Sequence, residues 1–334
     1  MKKEISLNGY GYRIRPVVLD DAAFIIDVRL EDEQRNKYIH KISRDIKPQQ
    51  EWITKYLERE DDYYFVVENN LTQKPEGLIS IYNIKNKKAE WGRWVIKQNS
   101  LAAIESVDLV FKVAFNILNL TELYSQTVAD NTAVVGFHNA LPQMYRATLK
   151  DHFELNGQKY DAVEHYTTKE YYYETLQEKL EGKAFRIFER GLKQLVGDLK
   201  FHHIGVATNN IETELSTFKM LGYKREGAPF TDLAQGITGL FLISPNQPRI
   251  ELLSNLEGST TLDYYLKNKI KMYHFAYLTQ DIKKALDGFN TIKTKVISPL
   301  KKSTYFKKNI CFLLQPNRFM IELIEEAENA DKIS

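Results

Sequence analysis

One interval dominates this sequence: Glu251 follows His203 by 48 residues, and Glu322 follows His274 by the same 48. Each pair sits in the same succession of patterns. An apolar strand carries the histidine (residues 201–207 and 272–278), a helix follows (211–221 and 281–289), and three strands end on the glutamate. An equal interval in two βαβββ units argues for an internal duplication. Strand side chains alternate faces, so parity tests whether the four polar residues point together. His203 and His274 lie opposite Ile204 and Val206, or Phe275 and Tyr277, while Glu251 opposes Ile250 and Leu252, and Glu322 opposes Ile321 and Leu323. All four therefore share one face, and the apolar residues pack the helix-facing side. By the same parity His202 points towards the helices.

A carboxylate on a half-buried strand is costly without a partner. A divalent metal between the two modules would supply one. Two imidazoles and two carboxylates suit Zn, Mn, Co, Ni or Fe, with positions left open for two substrate oxygens. The plain alternative is two structural histidines and two solvated carboxylates, but four matched places in two copies argue against it.

The chain has 334 residues, enough for about two domains. Its 46 basic and 44 acidic residues supply no electrostatic footprint for nucleic acid or an anionic membrane. The single cysteine, Cys311, lies in an apolar run and reads as a buried thiol; one cysteine forms no internal disulfide, which fits a reducing compartment. Two lysines at the start are not followed by an apolar stretch, and no segment is apolar over a membrane-spanning length. The expected location is the cytoplasm.

The first half alternates short strands with amphipathic helices. Strands are expected at 12–15, 64–68, 77–83, 89–96 and 122–128, with two more within 144–152 and 159–168. Helices are expected at 20–30, 49–58 and 102–118, the last with Val107, Val110, Phe111 and Ala114 at helical spacing, and another opens at Asp130-Asn131. Residues 173–199 read as a charged helical connector broken by Gly182, Gly191 and Gly197. The expected class is α+β: a mixed sheet with flanking helices over 1–172, then two βαβββ modules over 200–328.

Residues 200–326 resemble the vicinal oxygen chelate (glyoxalase-like) superfamily, and within it methylmalonyl-CoA epimerase, through FHHIGVATNNIE, LAQGITGLFL, RIELLSNL, KMYHFAYLTQDI and RFMIELIEE. The family chelates substrate oxygens on a metal and stabilises an enolate, with carboxylates moving the proton. The resemblance implies His203, Glu251, His274 and Glu322 as ligands, with Glu322 also a candidate base. The epimerase pattern carries a second carboxylate where this chain has Ala234, before Gln235-Gly236-Ile237. Epimerisation needs two proton carriers, and Asp232 is the candidate to compensate. The resemblance thus implies an oxygen-chelating metal site without implying epimerase chemistry.

Residues 10–172 resemble the GNAT family of N-acetyltransferases, nearest the branch that acetylates ribosomal-protein N-termini and amino-sugar nucleotides. The matching pieces are Tyr12-Arg-Ile-Arg-Pro, Ala89-Glu-Trp-Gly-Arg-Trp-Val-Ile, Ala114-Phe-Asn-Ile-Leu-Asn-Leu, Ala129-Asp-Asn-Thr-Ala-Val-Val-Gly-Phe-His, and a last hairpin with Tyr145-Arg-Ala-Thr-Leu-Lys-Asp-His, Asn156-Gly and Tyr160-Asp161. The chemistry, an amine attacking a thioester, needs a cradle for the CoA pyrophosphate, a base and an acid. The implied cradle is the turn after Ile96, with Ser100, Leu101, Ala102 and Ala103, and Asn131 capping its helix and holding the CoA arm. Gln98-Asn-Ser-Leu-Ala-Ala replaces the family's glycine-rich turn, and Pro142-Gln143 replaces a usual Gly-Phe. His138 stands where the family has a tyrosine. It reads either as the acid for the departing thiolate, its ordinary pKa of about 6.5 suiting neutral pH, or as a histidine on a helix surface. Glu90 reads as a base or water relay, or as a structural carboxylate beside Arg93.

Three functions follow. The first is a bifunctional or composite enzyme that uses acetyl-CoA or another acyl-CoA to acylate a small amine, with a nucleotide-linked amino sugar for surface polysaccharide as the candidate acceptor. In it the metal domain, with a metal-dependent isomerase or lyase activity, prepares or selects the acyl group. The second keeps the acyltransferase and makes the metal domain a non-catalytic binding or dimerisation module of a homodimer. The third keeps the metal domain active beside a decayed acyl-CoA-binding domain.

Overall fold

The computed structural model describes residues 4–155 and 157–326; Asn156 of the expected hairpin and residues 327–328 of the expected second domain lie outside the described residues. The chain divides into two compact units that meet between Gly191 and Leu192. No helix among the described residues is long and apolar enough to cross a membrane.

The first unit is built on an eight-stranded sheet. Its strands are β1 (Leu7–Asn8), β2 (Tyr12–Pro16), β3 (Tyr63–Asn69), β4 (Pro75–Lys85), β5 (Lys88–Ile96), β6 (Glu122–Val128), β7 (Met144–Leu155) and β8 (Gln158–Thr168), in the order β1-β2-β3-β4-β5-β6-β8-β7. Neighbours are antiparallel except β5 and β6. The apolar run Tyr64-Phe-Val-Val makes β3 a central strand buried on both faces. Phe65 and Val67 face α3 (Ala103–Lys112), whose Val107, Val110 and Phe111 are fully buried. Tyr64 and Val66 face α1 (Ala22–Leu30) and α2 (Ile46–Leu57) through Ile25, Val28, Ile53 and Tyr56. The helix expected to reach residue 118 changes at Val113–Ile117 into a π-turn, with Leu118 N–H donating to Val113 C=O.

After α4 (Thr132–Ala140) and the β7–β8 hairpin, α5 (Lys169–Tyr171) passes through a π-turn into α6 (Gln177–Val196). The expected breaks at Gly182 and Gly191 do not occur. The helix runs through both and ends only at Gly197, whose φ of +80° is the left-handed conformation glycine adopts freely. Tyr172, Leu176 and Leu180 are buried in the first unit's core, so this stretch packs as part of that unit's wall.

The second unit holds β9 (Leu199–Ala207), α7 (Ile211–Met220), β10 (Lys224–Asp232), β11 (Ile237–Ser244), β12 (Gln247–Asn255), the short α8 (Asp263–Lys267), β13 (Met272–Thr279), α9 (Ile282–Thr291), β14 (Lys295–Lys302), β15 (Asn309–Leu314) and β16 (Met320–Glu325). Both expected βαβββ modules form, in one sheet ordered β10-β11-β12-β9-β13-β16-β15-β14. Within each module the first and last strands pair in parallel, β9 with β12 and β13 with β16, and the modules join through antiparallel β9 and β13. Ile204, Val206 and Leu252 pack with Leu215 of α7. Cys311, Leu313 and Leu323 pack with Ala285 and Phe289 of α9 and Val196 of α6. Cys311 is fully buried and burial pushes its thiol up to about 12, as expected of a thiol that serves packing.

Candidate functional site

The sheet face opposite α7 and α9 gathers the four residues singled out by the 48-residue interval. His203 (β9), Glu251 (β12), His274 (β13) and Glu322 (β16) are all buried, and one donor atom from each lies within 4.8 Å of the others. His203 Nε2 is 2.9 Å from Glu251 Oε2, 3.1 Å from His274 Nε2 and 3.5 Å from Glu322 Oε2. Register produces this convergence: Glu251 pairs with Gly205 on β9, and Glu322 pairs with Ala276 on β13. The residue two places after each histidine is therefore small. A β-carbon on Gly205 would lie 2.0 Å from His274 Cε1, so glycine is needed there for space.

Burial disfavours charge in this cluster, pushing the Glu251 carboxyl up to about 7 and the His203 imidazole down to about 3. Glu322 Oε2 and His274 Nδ1 are buried without a hydrogen-bond partner. Two carboxylates and two imidazoles, closely spaced, with an orphaned oxygen and no lysine or arginine paired to them among the described residues, are a donor set that fits a divalent cation.

The parity assignment of His202 is corrected. Ala276 pairs with His203 but Tyr277 pairs with Phe201, so β9 bulges at His202 and turns it to the cluster side. There His202 Nδ1 is 2.7 Å from His203 Nδ1, and His202 Nε2 is 2.6 Å from Arg249 Nη1. The second copy bulges at the equivalent Tyr273, whose ring meets His274 at 4.5 Å. Arg249, two residues before Glu251 and so on its face, stacks over Phe241 and pairs with Glu226. Sequence reasoning passed over Arg249 and Gly205, although both were readable from their offsets of two from Glu251 and His203. Ala234 lies in an exposed turn. Asp232, its candidate replacement, is fully buried and accepts from Ser303 Oγ (2.8 Å), Thr304 N–H (3.2 Å) and Gln235 N–H (3.1 Å). Against burial, these bonds hold its carboxyl below the usual range.

In the first unit the decisive feature is a splay. β5 and β6 pair only at Lys88–Glu122, Ala89–Leu123 and Glu90–Tyr124, and then part. Beyond the last pair β5 bulges: Leu78 pairs with Val95 but Ser80 with Gly92, and Arg93 takes a φ of +46°. Unpaired backbone on both strands thus faces a cleft of about 240 Å³ that Glu90, Asn131 and His138 line, and a second cleft of about 240 Å³ is lined by Ile96, Ala103 and Asn131.

The family model for the GNAT acetyltransferase domain matches residues 12–141, and that for the glyoxalase/bleomycin resistance protein/dioxygenase superfamily matches residues 202–312. The chain joins a GNAT domain to a glyoxalase-type domain. Solved structures similar to it include apo FdhC, described as a nucleotide-linked sugar GNAT, at 27% identity over 55% of this chain and 98% of that one, with a TM-score of 0.44. A GCN5-related N-acetyltransferase from Brucella melitensis is 16% identical over 54% of this chain and 86% of its own, with a TM-score of 0.49. Spermidine N-acetyltransferase from Vibrio cholerae, in complex with CoA and spermine, is 20% identical over 49% and 99%, with a TM-score of 0.45. No curated protein sequence matches the chain.

Within the GNAT domain, Glu90 accepts from Tyr82 Oη at 2.7 Å and Asn83 Nδ2 at 3.0 Å, and burial raises its pKa. Arg93, its suggested structural partner, instead pairs with Asp62 at 2.7 Å. His138 is 2% exposed, which removes the helix-surface reading. It stacks on His165 at 5.0 Å and places Nδ1 3.1 Å from Gln143 Oε1. Burial, with His165 beside it, lowers its pKa to about 4. The expectation of an imidazole titrating near 6.5 is thus corrected: burial leaves His138 uncharged at neutral pH, with a ring N–H and a lone pair to offer. Asn131 caps α4, its Oδ1 3.5 Å from Val134 N.

The turn after Ile96 is occupied by its own chain. Gln98 N–H donates to Glu31 Oε2 at 2.9 Å, and Ala102 N–H to Ser100 Oγ at 3.1 Å. Ser100 Oγ in turn donates to Glu76 Oε2 at 2.6 Å, and Ala102 is fully buried in the core. A pyrophosphate could use these amides only by displacing such partners.

Proposed function

We propose that the GNAT domain is an acyl-CoA-dependent N-acyltransferase acting on a small amine, with Glu90 as base. The observation that carries this reading is the β5–β6 splay beside the Arg93 bulge, with Glu90 at its apex. A thioester lying along the bulged strand would present its carbonyl to unpaired β5 amides. An amine entering beside it would meet the Glu90 carboxylate, which the Tyr82 and Asn83 hydrogen bonds hold in one orientation. Neutral His138, which lines the same cleft, would hydrogen-bond the departing sulfur. The branch resemblance of the sequence makes a nucleotide-linked amino sugar the candidate acceptor. Thiol release from acetyl-CoA across a panel of amines tests the reading. Glu90→Gln is expected to lower kcat/KM by roughly 100-fold or more, and an absence of thiol release with every amine would sink it.

For the glyoxalase-type domain we propose a divalent-metal, oxygen-chelating site held by His203, Glu251, His274 and Glu322. Such an ion polarises a substrate carbonyl when bound. Glu322, whose Oε2 lacks a partner, is the residue best placed to move a proton. Asp232 is committed to Ser303, Thr304 and Gln235, so the second proton carrier that epimerisation requires is missing and a one-base isomerase or lyase is the better fit. Metal analysis of chain purified without chelator tests the site. About one equivalent is expected in the parent and little in His274→Ala, and a chelator should lower the parent's Tm but leave the variant's unchanged.

A further inference from the structure

Arg29, on α1, lines the same cleft as Glu90 and His138. Its Nη2 donates to His40 C=O at 2.7 Å and its guanidinium reaches the Tyr64 hydroxyl, but its Nε is buried with no hydrogen-bond partner. The other arginines below full surface exposure (Arg13, Arg15, Arg93 and Arg249) each pair with a carboxylate. Among the described residues Arg29 pairs with none. Arg29 is half-buried, and its carbonyl and hydroxyl partners are neutral, so its charge has no counterpart in the cleft and would pair with an anion supplied from outside.

The rest of the cleft agrees in sign. Glu90 is the only carboxylate among its described lining residues. A polycation entering here would find one carboxylate against the guanidiniums of Arg29 and Arg93. An oxyanion would find the Arg29 guanidinium, a group suited to pairing with carboxylate or phosphate.

We infer that Arg29 reads an oxyanion, phosphate or carboxylate, on the acceptor amine, so that this acyltransferase selects anionic amines against polyamines. The inference rests on the acyltransferase reading and names the acceptor class for that same cleft.

The test measures acetyl-CoA turnover by the full chain with phosphoethanolamine, β-alanine, ethanolamine, spermidine and a nucleoside-diphosphate-linked amino sugar. The first two separate phosphate from carboxylate. Anionic amines should exceed spermidine in kcat/KM by roughly tenfold or more, and Arg29→Met should raise their KM by about ten- to a hundredfold with little change in kcat. Arg29→Lys should recover part of the loss, and it carries the comparison if Arg29→Met does not fold. Equal losses for every amine, or a preference for spermidine, would overturn the inference. Calorimetric titration of phosphoethanolamine and the nucleoside diphosphate into both proteins keeps the two readings apart. Arg29-dependent binding without turnover with any amine would refute the acyltransferase and keep the anion site, whereas no binding, or binding unchanged in the variants, refutes the anion site.

Discussion

Gly205 of β9 and the imidazole of His274 on β13 lie so close that a β-carbon on Gly205 would sit 2.0 Å from Cε1 and 2.3 Å from Nδ1. The proposed metal-ligand set therefore depends on an absent side chain as much as on four present ones. Because His274 lies in the antiparallel register opposite Gly205, any larger residue must push its ring out of the cluster.

Gly205→Ala should accordingly behave as a metal-site variant although it removes no ligand. Divalent-metal affinity should fall at least tenfold, with a stability loss of about 1–3 kcal/mol from overpacking. Calorimetric metal titration and thermal melts check both. Parent-like affinity would mean the ring has another place to go.

In the turn after Ile96, Glu31 Oε2 holds Gln98 N–H, an amide that a CoA pyrophosphate bound there would need. Glu31→Gln removes the repulsive charge, so CoA should bind about three- to tenfold more tightly, and less so at high salt. Calorimetry on both chains measures it; unchanged affinity would place the phosphates elsewhere.

His138 should not titrate in the neutral range. Burial lowers its pKa from 6.5 to about 4, so the native state binds fewer protons than the unfolded chain between those values, and this residue favours folding less as pH falls from 6.5 to 4. Its ring C–H resonance should stay flat from about pH 5.5 to about 8. A midpoint near 6.5 would restore it as a charged acid.

Glu105 gives the opposite dependence. Its buried carboxylate accepts the Gly11 N–H at 3.1 Å, yet burial raises its pKa from 4.5 to about 7. The native state here binds more protons than the unfolded chain, so stability from protonated Glu105 is full below 4.5, declines as pH rises and is gone above about 7. That difference amounts to about 3 kcal/mol. Glu105→Gln should therefore stabilise the domain relative to the parent at about pH 8, and the advantage should vanish by about pH 4.5. Melts of the two proteins across that range check the sign.

The sequence by itself determined the duplication, both domain folds and the convergence of His203, Glu251, His274 and Glu322. Each of these is written in local periodicity: apolar residues every second place on a strand, every third or fourth on a helix, and a repeated 48-residue interval. Parity works only while the ladder is regular, however, and it failed for His202 because β9 carries a bulge fixed by its pairing with β13. The tertiary structure alone decided that His138 is buried against His165 and uncharged, that Arg93 belongs to Asp62 rather than Glu90, and that Glu31 reaches Gln98 across 67 residues of chain. It alone left Arg29 without a carboxylate partner among the described residues. Hydrogen-bond partners, desolvation and free space depend on which distant segments meet, and a residue's neighbours along the chain carry no record of that.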